Sequence, residues 1–444
     1  MSSTSTLPVP AAPTAPHRAL ADNQLKGQGV TLGGMWLFLI GVLVVGSGYR
    51  SMRPEIFGLA LHPYLLAVGL AFPLVALTRL GEFPARILAA IVVFTLMYCF
   101  SLFNGGTPPV GEVIKIGAAV VTMITFALLM RTRGDFVAAS LGLAIAVAIL
   151  AYRGMQEDTS TAGIEIMDGA NKNTYSLYAL PMLLLAGFIT VRLTSVPWII
   201  RGALVVCSIM AVAAIFMSAN RSGYLGVVII GLMLFWDRRG KGLLLIGAVA
   251  GAVVLFMINY GNTAALNERM RQTVEGNSSD TNRIKILKTC AEIALENPVI
   301  GVSPQELPRE IGRNTQQASS HHMTLLDSHN VFAHIAAGSG LICFAAMLAV
   351  ALTMYFPVLR DGSSYGGKDD PAREARRLMR MMVLLWAVRG LFTREVLYNP
   401  SCNIGLGLCI GYFIWAEKLR EVPLPIKRTS AGAAPVGAPA VTSA

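Results

Sequence analysis

The chain has 444 residues, of which 54% are hydrophobic and only 14% charged, and it carries a formal charge of +11. A soluble domain holds about 25% charged residues, so this composition excludes a water-soluble protein. The positive balance does not point to nucleic acid either, because the basic residues punctuate long apolar runs, as a topology signal does.

Residues 1–29 are rich in Pro, Ala, Ser and Thr, lack an apolar core and read as a disordered tail. No charged segment with a short apolar stretch and cleavage site precedes the first long run, so that run is expected to be retained. Apolar runs then recur at 31–49, 60–78, 86–102, 112–130, 136–152, 175–193, 198–218, 222–236, 242–259, 331–356, 379–393 and 402–417. Each is near the roughly 17–25 residues a helix needs to cross a bilayer, the eighth, eleventh and twelfth being the shortest. The expected fold is an all-α polytopic membrane protein with about twelve transmembrane helices. Nine lie in 30–259 and three in 331–421, and a second Pro/Ala-rich tail follows at 422–444.

Twelve spans put both termini on one side. With the N-terminus cytoplasmic, 21 of the 36 Lys and Arg fall on the inner side, as the positive-inside rule requires. Residues 260–330 then form one large periplasmic loop. Within it, Ala264 to Glu275 and Arg283 to Glu296 show helical apolar spacing, and Asn297-Pro298 ends the second stretch, so two short amphipathic helices are expected over the membrane mouth. Four of the six cysteines lie inside apolar runs, and only Cys290 and Cys402 could meet on one side. The absence of CxxC or Cys/His spacing, and of an acidic cluster, suggests neither a disulfide framework nor a metal, and no cofactor is expected.

Few residues could carry chemistry. Arg221 sits in Ser218-Ala219-Asn220-Arg221-Ser222-Gly223, a very short turn between two spans. It either snorkels to headgroups or grips a lipid phosphate bidentately. Arg283 opens the second loop helix, where the macrodipole disfavours a cation, so it is either a solvated loop charge or a residue kept for function. His329, in Asp327-Ser328-His329-Asn330 at the entrance to the span 331–356, is either a hydrogen-bonded structural residue or a general base oriented by Asp327 or Asn330, with His321 and His322 as rivals. A serine-hydrolase reading of Asp327-Ser328-His329 fails, because adjacent residues rarely form a triad and no nucleophile elbow is present. Arg389 and Lys115 lie inside apolar runs, where a charge is expensive. Arg389 has Arg394 and Glu395 nearby for an interfacial pairing, and Lys115 can snorkel outward.

The order of these features resembles the O-antigen ligase and polymerase family. The matching elements are Ser-x-x-Arg-Ser-Gly after a mid-chain span, Arg283 with Asn297-Pro298-Val299-Ile300-Gly301-Val302, and His329-Asn330 entering a span that contains Gly338-Ser339-Gly340. Three positions depart from its pattern. Leu287 stands where an aromatic often follows the loop arginine, Ser303 replaces the second glycine of Asn-Pro-x-x-Gly-x-Gly, and the segment after His329 lacks a glutamate that many relatives carry.

The resemblance implies a bacterial inner-membrane glycosyltransferase acting at the periplasmic face. It would move a glycan from an undecaprenyl diphosphate carrier to a hydroxyl of lipid A–core, with His329 as catalytic base and Arg221 and Arg283 holding the diphosphate. Beside the resemblance, Asn330 and Arg389 are further substrate-binding candidates. Its partners are the carrier-linked donor, the lipid A–core acceptor and membrane lipids. Two alternatives stay open. One is a polymerase using the same donor, and the other is a transporter, although transporters gather polar groups near the midplane in paired repeats.

Overall fold

The computed structural model describes residues 29–48, 55–56, 59–60, 62–104, 110–156, 172–218, 220–235, 279–315, 326–357 and 371–421. The expected span 242–259, the expected helix Ala264 to Glu275, His321, His322 and both tails lie outside these residues. The helices are α1 (Leu32–Leu43, continued by a 3-10 turn at Val44–Ser47), α2 (Pro63–Arg79), α3 (Ala85–Phe103), α4 (Val110–Leu129), α5 (Arg133–Gln156), α6 (Lys172–Arg192), α7 (Trp198–Met217) and α8 (Arg221–Phe235). Further along the chain come α9 (Ser279–Glu296), α10 (Leu307–Asn314), α11 (Val331–Tyr355), α12 (Pro371–Gly390), a 3-10 turn at Arg394–Leu397, and α13 (Pro400–Glu421). A two-residue antiparallel pairing of Glu55–Ile56 with Leu59–Ala60 is the one departure from an all-helical chain among the described residues.

The all-helical expectation therefore holds among the described residues, which do not include every expected span. Among the described residues, seven helices are long and apolar enough to cross a membrane: Pro63–Glu82, Ala85–Phe103, Val110–Leu129, Arg133–Gln156, Thr174–Arg192, Trp198–Met217 and Val331–Tyr355. Leu32–Ser47 and Ser222–Phe235 are apolar but shorter. The two remaining long helices differ from the expected spans for a physical reason. The first half of α12 carries Arg373, Glu374, Arg376, Arg377 and Arg380, so its apolar run is short. Most of α13 is buried among other helices, so it needs no lipid-facing hydrocarbon and can hold Ser401 and Asn403 inside the bundle.

With no water to drive helices together, association in a bilayer depends on close packing, which small residues permit. An added Cβ at Gly142 would lie 2.3 Å from the Phe38 carbonyl, and one at Gly407 would lie 2.5 Å from that of Met123. α1 thus presses onto α5, and α13 onto α4. These contacts assemble one large core from α1 through α8 with α12 and α13. They also fix two ends of the bundle. At the end called here the mouth, α3 finishes and α4, α6, α8 and α13 begin.

Candidate functional site

The loop helix starts at Ser279, four residues before the expected Arg283, because its N-terminal turn includes the polar stretch before it. Arg283 consequently lies in the second turn, and the macrodipole argument for its being misplaced falls. It is exposed and has no hydrogen bond or ion pair among the described residues. Ile286, Cys290, Ile293 and Ala294 form the buried stripe of α9, packed against Ala333, Ala336 and Ala337 of α11. Arg283 continues that stripe one turn beyond the last contact. Burial and the nearby Asp327 carboxylate push the Cys290 thiol up to about 12, which makes it inert as a nucleophile. All six cysteines are free, and Cys290 and Cys402 belong to different clusters.

The chain after α9 does something periodicity could not indicate. Val302 and Ser303 donate their backbone N–H groups to the carbonyls of Ala337 and Gly338, and Leu341 donates to Pro298. α11 is broken to receive this segment: Gly340 has φ 84° and ψ 166°, and the helix continues on either side. That backbone region is open to glycine almost alone. A Cβ on Gly340 would also lie 2.3 Å from the Val299 carbonyl, and one on Gly301 (φ 74°) would lie 2.4 Å from Gly338. Ser101 donates to Ser339 (2.8 Å) and Asn104 to the Gly301 carbonyl (3.3 Å), so the break sits level with the mouth end of α3. The single span expected over 331–356 is thus two helical segments joined at Gly340.

Ser303 is the position where the resemblance expects glycine. It takes φ 78°, is fully buried, and its hydroxyl has no hydrogen-bond partner among the described residues. A serine there carries both left-handed strain and an orphaned polar atom.

His329 also has a positive φ, 48°. Its N–H donates to Asp327 Oδ1 (3.4 Å), and its Nδ1 lies 3.9 Å from Asp327 Oδ2, longer than a hydrogen bond. The Arg394 Nε is 3.3 Å from the same oxygen. Asp327 therefore sits between an arginine and an imidazole whose side chain is 41% exposed. The next histidine, His334, is only 3% exposed and packs inside. Asn330 caps α11 by accepting from Ala333 N (3.0 Å), and its carbonyl accepts from His334 N (2.9 Å), so its polar atoms serve the helix start.

Arg389 is 1% exposed, and besides the expected Glu395, whose charge acts on it, it has hydroxyl partners. Its guanidinium donates to Ser222 Oγ (2.7 Å) and Ser176 Oγ (2.8 Å). Ser222 donates to Asn220 Oδ1 (2.8 Å), and Asn220 Nδ2 donates to Ser176 (2.8 Å). Asn220 Oδ1 also accepts from Gly223 N (3.1 Å), which ties the network to the start of α8. Arg221 is the first residue of that helix, and its side chain lies outside the described residues. Arg389 thus sits beneath the turn that carries Arg221. The residue after it, Gly390, abuts α11: a Cβ there would lie 2.6 Å from Val331 Cγ1. Through Arg389 and Gly390, the end of α12 joins the Arg221 turn to the helix start that follows His329.

Sequence reasoning missed Ser176, Asn220 and Ser222 as partners of Arg389, and a buried group at the mouth. There, Tyr98 and Tyr398 share a hydrogen bond between hydroxyls, and Tyr398 also bonds Glu112. The Lys115 ammonium is 2.7 Å from Glu112, so it is ion-paired as well as half exposed. A glutamate and a lysine at i and i+3 near the start of an apolar run were the available signal for that last pair.

Residues 203–348 match the family model described as O-antigen ligase. This stretch is an O-antigen ligase domain. It begins in α7 and ends in the second segment of α11, and so includes Arg221, Arg283, His329, the docked segment after α9 and the Gly340 break. The O-antigen ligase match stops short of Arg389, Arg394, Glu112 and Tyr398, all of which pack against or beside it. No curated protein sequence matches the chain.

Proposed function

We propose that this protein is an O-antigen ligase which transfers a glycan from undecaprenyl diphosphate to a hydroxyl of lipid A–core at the periplasmic face of the inner membrane. The observation that carries this reading is the O-antigen ligase domain, whose one exposed described histidine, His329, stands beside Asp327 at the bundle mouth. With Nδ1 turned toward Asp327, the Nε2 of His329 faces away and can accept a proton from an acceptor hydroxyl. In the proposed reaction, the deprotonated oxygen attacks the anomeric carbon, the anomeric C–O bond to the diphosphate breaks, and undecaprenyl diphosphate leaves. Arg221 and Arg283 stabilise the charge that develops on it, so no metal is required. A single in-line displacement inverts the anomeric configuration.

Arg394 pairs with Asp327, whose carboxylate stands 3.9 Å from the imidazole Nδ1. Arg389 acts through Ser222 and Asn220 on the Arg221 turn, which makes it a positioning residue. The test uses purified protein with labelled carrier-linked glycan and lipid A–core. His329→Ala is expected to lower turnover by roughly 10²- to 10⁴-fold with little change in donor KM. Arg221→Ala and Arg283→Ala are expected to weaken donor use, and Arg283→Ala to leave thermal stability unchanged because its side chain is exposed. Label accumulating on longer carrier-linked chains instead of lipid A–core would assign the protein to polymerisation. Full transfer by well-expressed His329→Ala would remove the base assignment.

A further inference from the structure

At the end of the bundle opposite the mouth, a cavity of about 520 Å³ is lined by Thr78, Arg79, Glu82, Arg131, Trp415 and Lys418, with Met130 and Ile414 completing its wall. α2 and α4 finish here and α13 approaches its end, so the cavity is separated from His329 by the length of the spanning helices. Three cations face one carboxylate. Arg79 pairs with Glu82 and also donates to the Leu128 carbonyl, and Lys418 Nζ is 2.8 Å from Glu82. The Arg131 guanidinium has no partner among the described residues and is exposed. Among the lining residues Glu82 therefore offsets one positive charge and leaves a net excess, although the buried Asp135 carboxylate also accepts from the Arg131 N–H (2.9 Å).

Lys and Arg at a cytoplasmic membrane face are ordinary as a topology signal, and the charge distribution assigns this end to the cytoplasm. A topology signal needs only charge in the loops. Here the charges line one open pocket, and Arg79, whose side chain is only 11% exposed, is built into its wall. The hydrocarbon next to it is also specific. Leu70, Leu74 and Leu77 lie along one face of α2, are 70%, 69% and 88% exposed, and lead to Thr78 at the cavity. A ligand with a phosphate in the cavity and acyl chains along that stripe satisfies both halves. Basic pockets between transmembrane helices on the cytoplasmic side suit such anionic headgroups.

We propose that this cavity binds the phosphate of an anionic phospholipid, with Arg131 and Lys418 as its contacts and Arg79 as the fixed wall cation. Neither the transfer reaction nor its residues enter this assignment.

The test uses the full chain purified in detergent and titrated with phosphatidylglycerol, with phosphatidylcholine of the same acyl chains, or with inorganic phosphate. Lipid retention by native mass spectrometry and the melting temperature are followed. Phosphatidylglycerol is expected to be retained and to raise Tm, and phosphatidylcholine to do neither. The double variant Arg131→Ala/Lys418→Ala removes two cations, each contributing to headgroup attraction, and should weaken phosphatidylglycerol binding by roughly tenfold or more. Arg86→Ala removes an exposed cation of the same end that does not line the cavity, and should leave binding unchanged. Equal loss in Arg86→Ala, or equal binding by the double variant, would overturn the site in favour of diffuse surface attraction. Inorganic phosphate reproducing the Tm shift by itself would overturn the lipid as ligand and assign the cavity to a soluble phosphate.

Discussion

Two regions of the mouth hold their functional residues by opposite means. The Ser218–Gly223 turn is held from below by side chains: Arg389 on Ser176 and Ser222, and Asn220 on both serines. The joint between Pro298–Ser303 and Ala337–Leu341 is held by backbone, through three N–H to carbonyl bonds and glycines with no room for a Cβ. The first is selective for chemistry and tolerant of main-chain detail. The second is selective for the absence of a side chain and indifferent to charge. A buried guanidinium can be supported far from water only by fixed polar partners, whereas an irregular backbone segment at membrane depth must find its partners in other backbone.

The sharpest way to break the second region is Gly340→Ala, which adds a Cβ in a glycine-only conformation and against the Val299 carbonyl. It is expected to cost about 3–4 kcal/mol, read as a large fall in Tm in detergent together with lost transfer activity. Arg389→Ala breaks the first region and leaves the buried Ser176 and half-buried Ser222 hydroxyls without their charged partner. The expected loss is about 2–3 kcal/mol, and in an assay the donor KM should rise as it does for Arg221→Ala. Arg389→Lys, which keeps the charge but not the two-pronged geometry, should recover little of it. An unchanged donor KM in folded Arg389→Ala would detach Arg389 from the Arg221 turn.

The smallest effect has the opposite sign. Ser303→Gly relieves left-handed strain and deletes an orphaned buried hydroxyl, and should stabilise the protein by about 1 kcal/mol, seen as a higher Tm with activity retained. A lower Tm would mean that the serine hydroxyl has a partner, and that the backbone joint depends on side-chain chemistry after all.

Much of this was legible along the chain. Expected runs such as 86–102 and 198–218 became Ala85–Phe103 and Trp198–Met217, because hydrocarbon thickness and helical rise make span length a local property. The turn bearing Arg221 and the entrance bearing His329 were legible for the same reason: each is a polar interruption bounded by apolar helices. Asn330 as a cap also follows from residue type and position.

Only the tertiary structure decided partners. Arg389 reaches Ser176 and Ser222, more than 160 positions away in sequence, and Asp327 takes Arg394 as well as His329. The break at Gly340 exists because another segment's carbonyls arrive there, which the smooth apolar run 331–356 could not reveal. Apolar periodicity encodes which face of a helix is buried. It carries no record of which polar atom across the bundle will meet a given side chain, because that depends on how the helices cross.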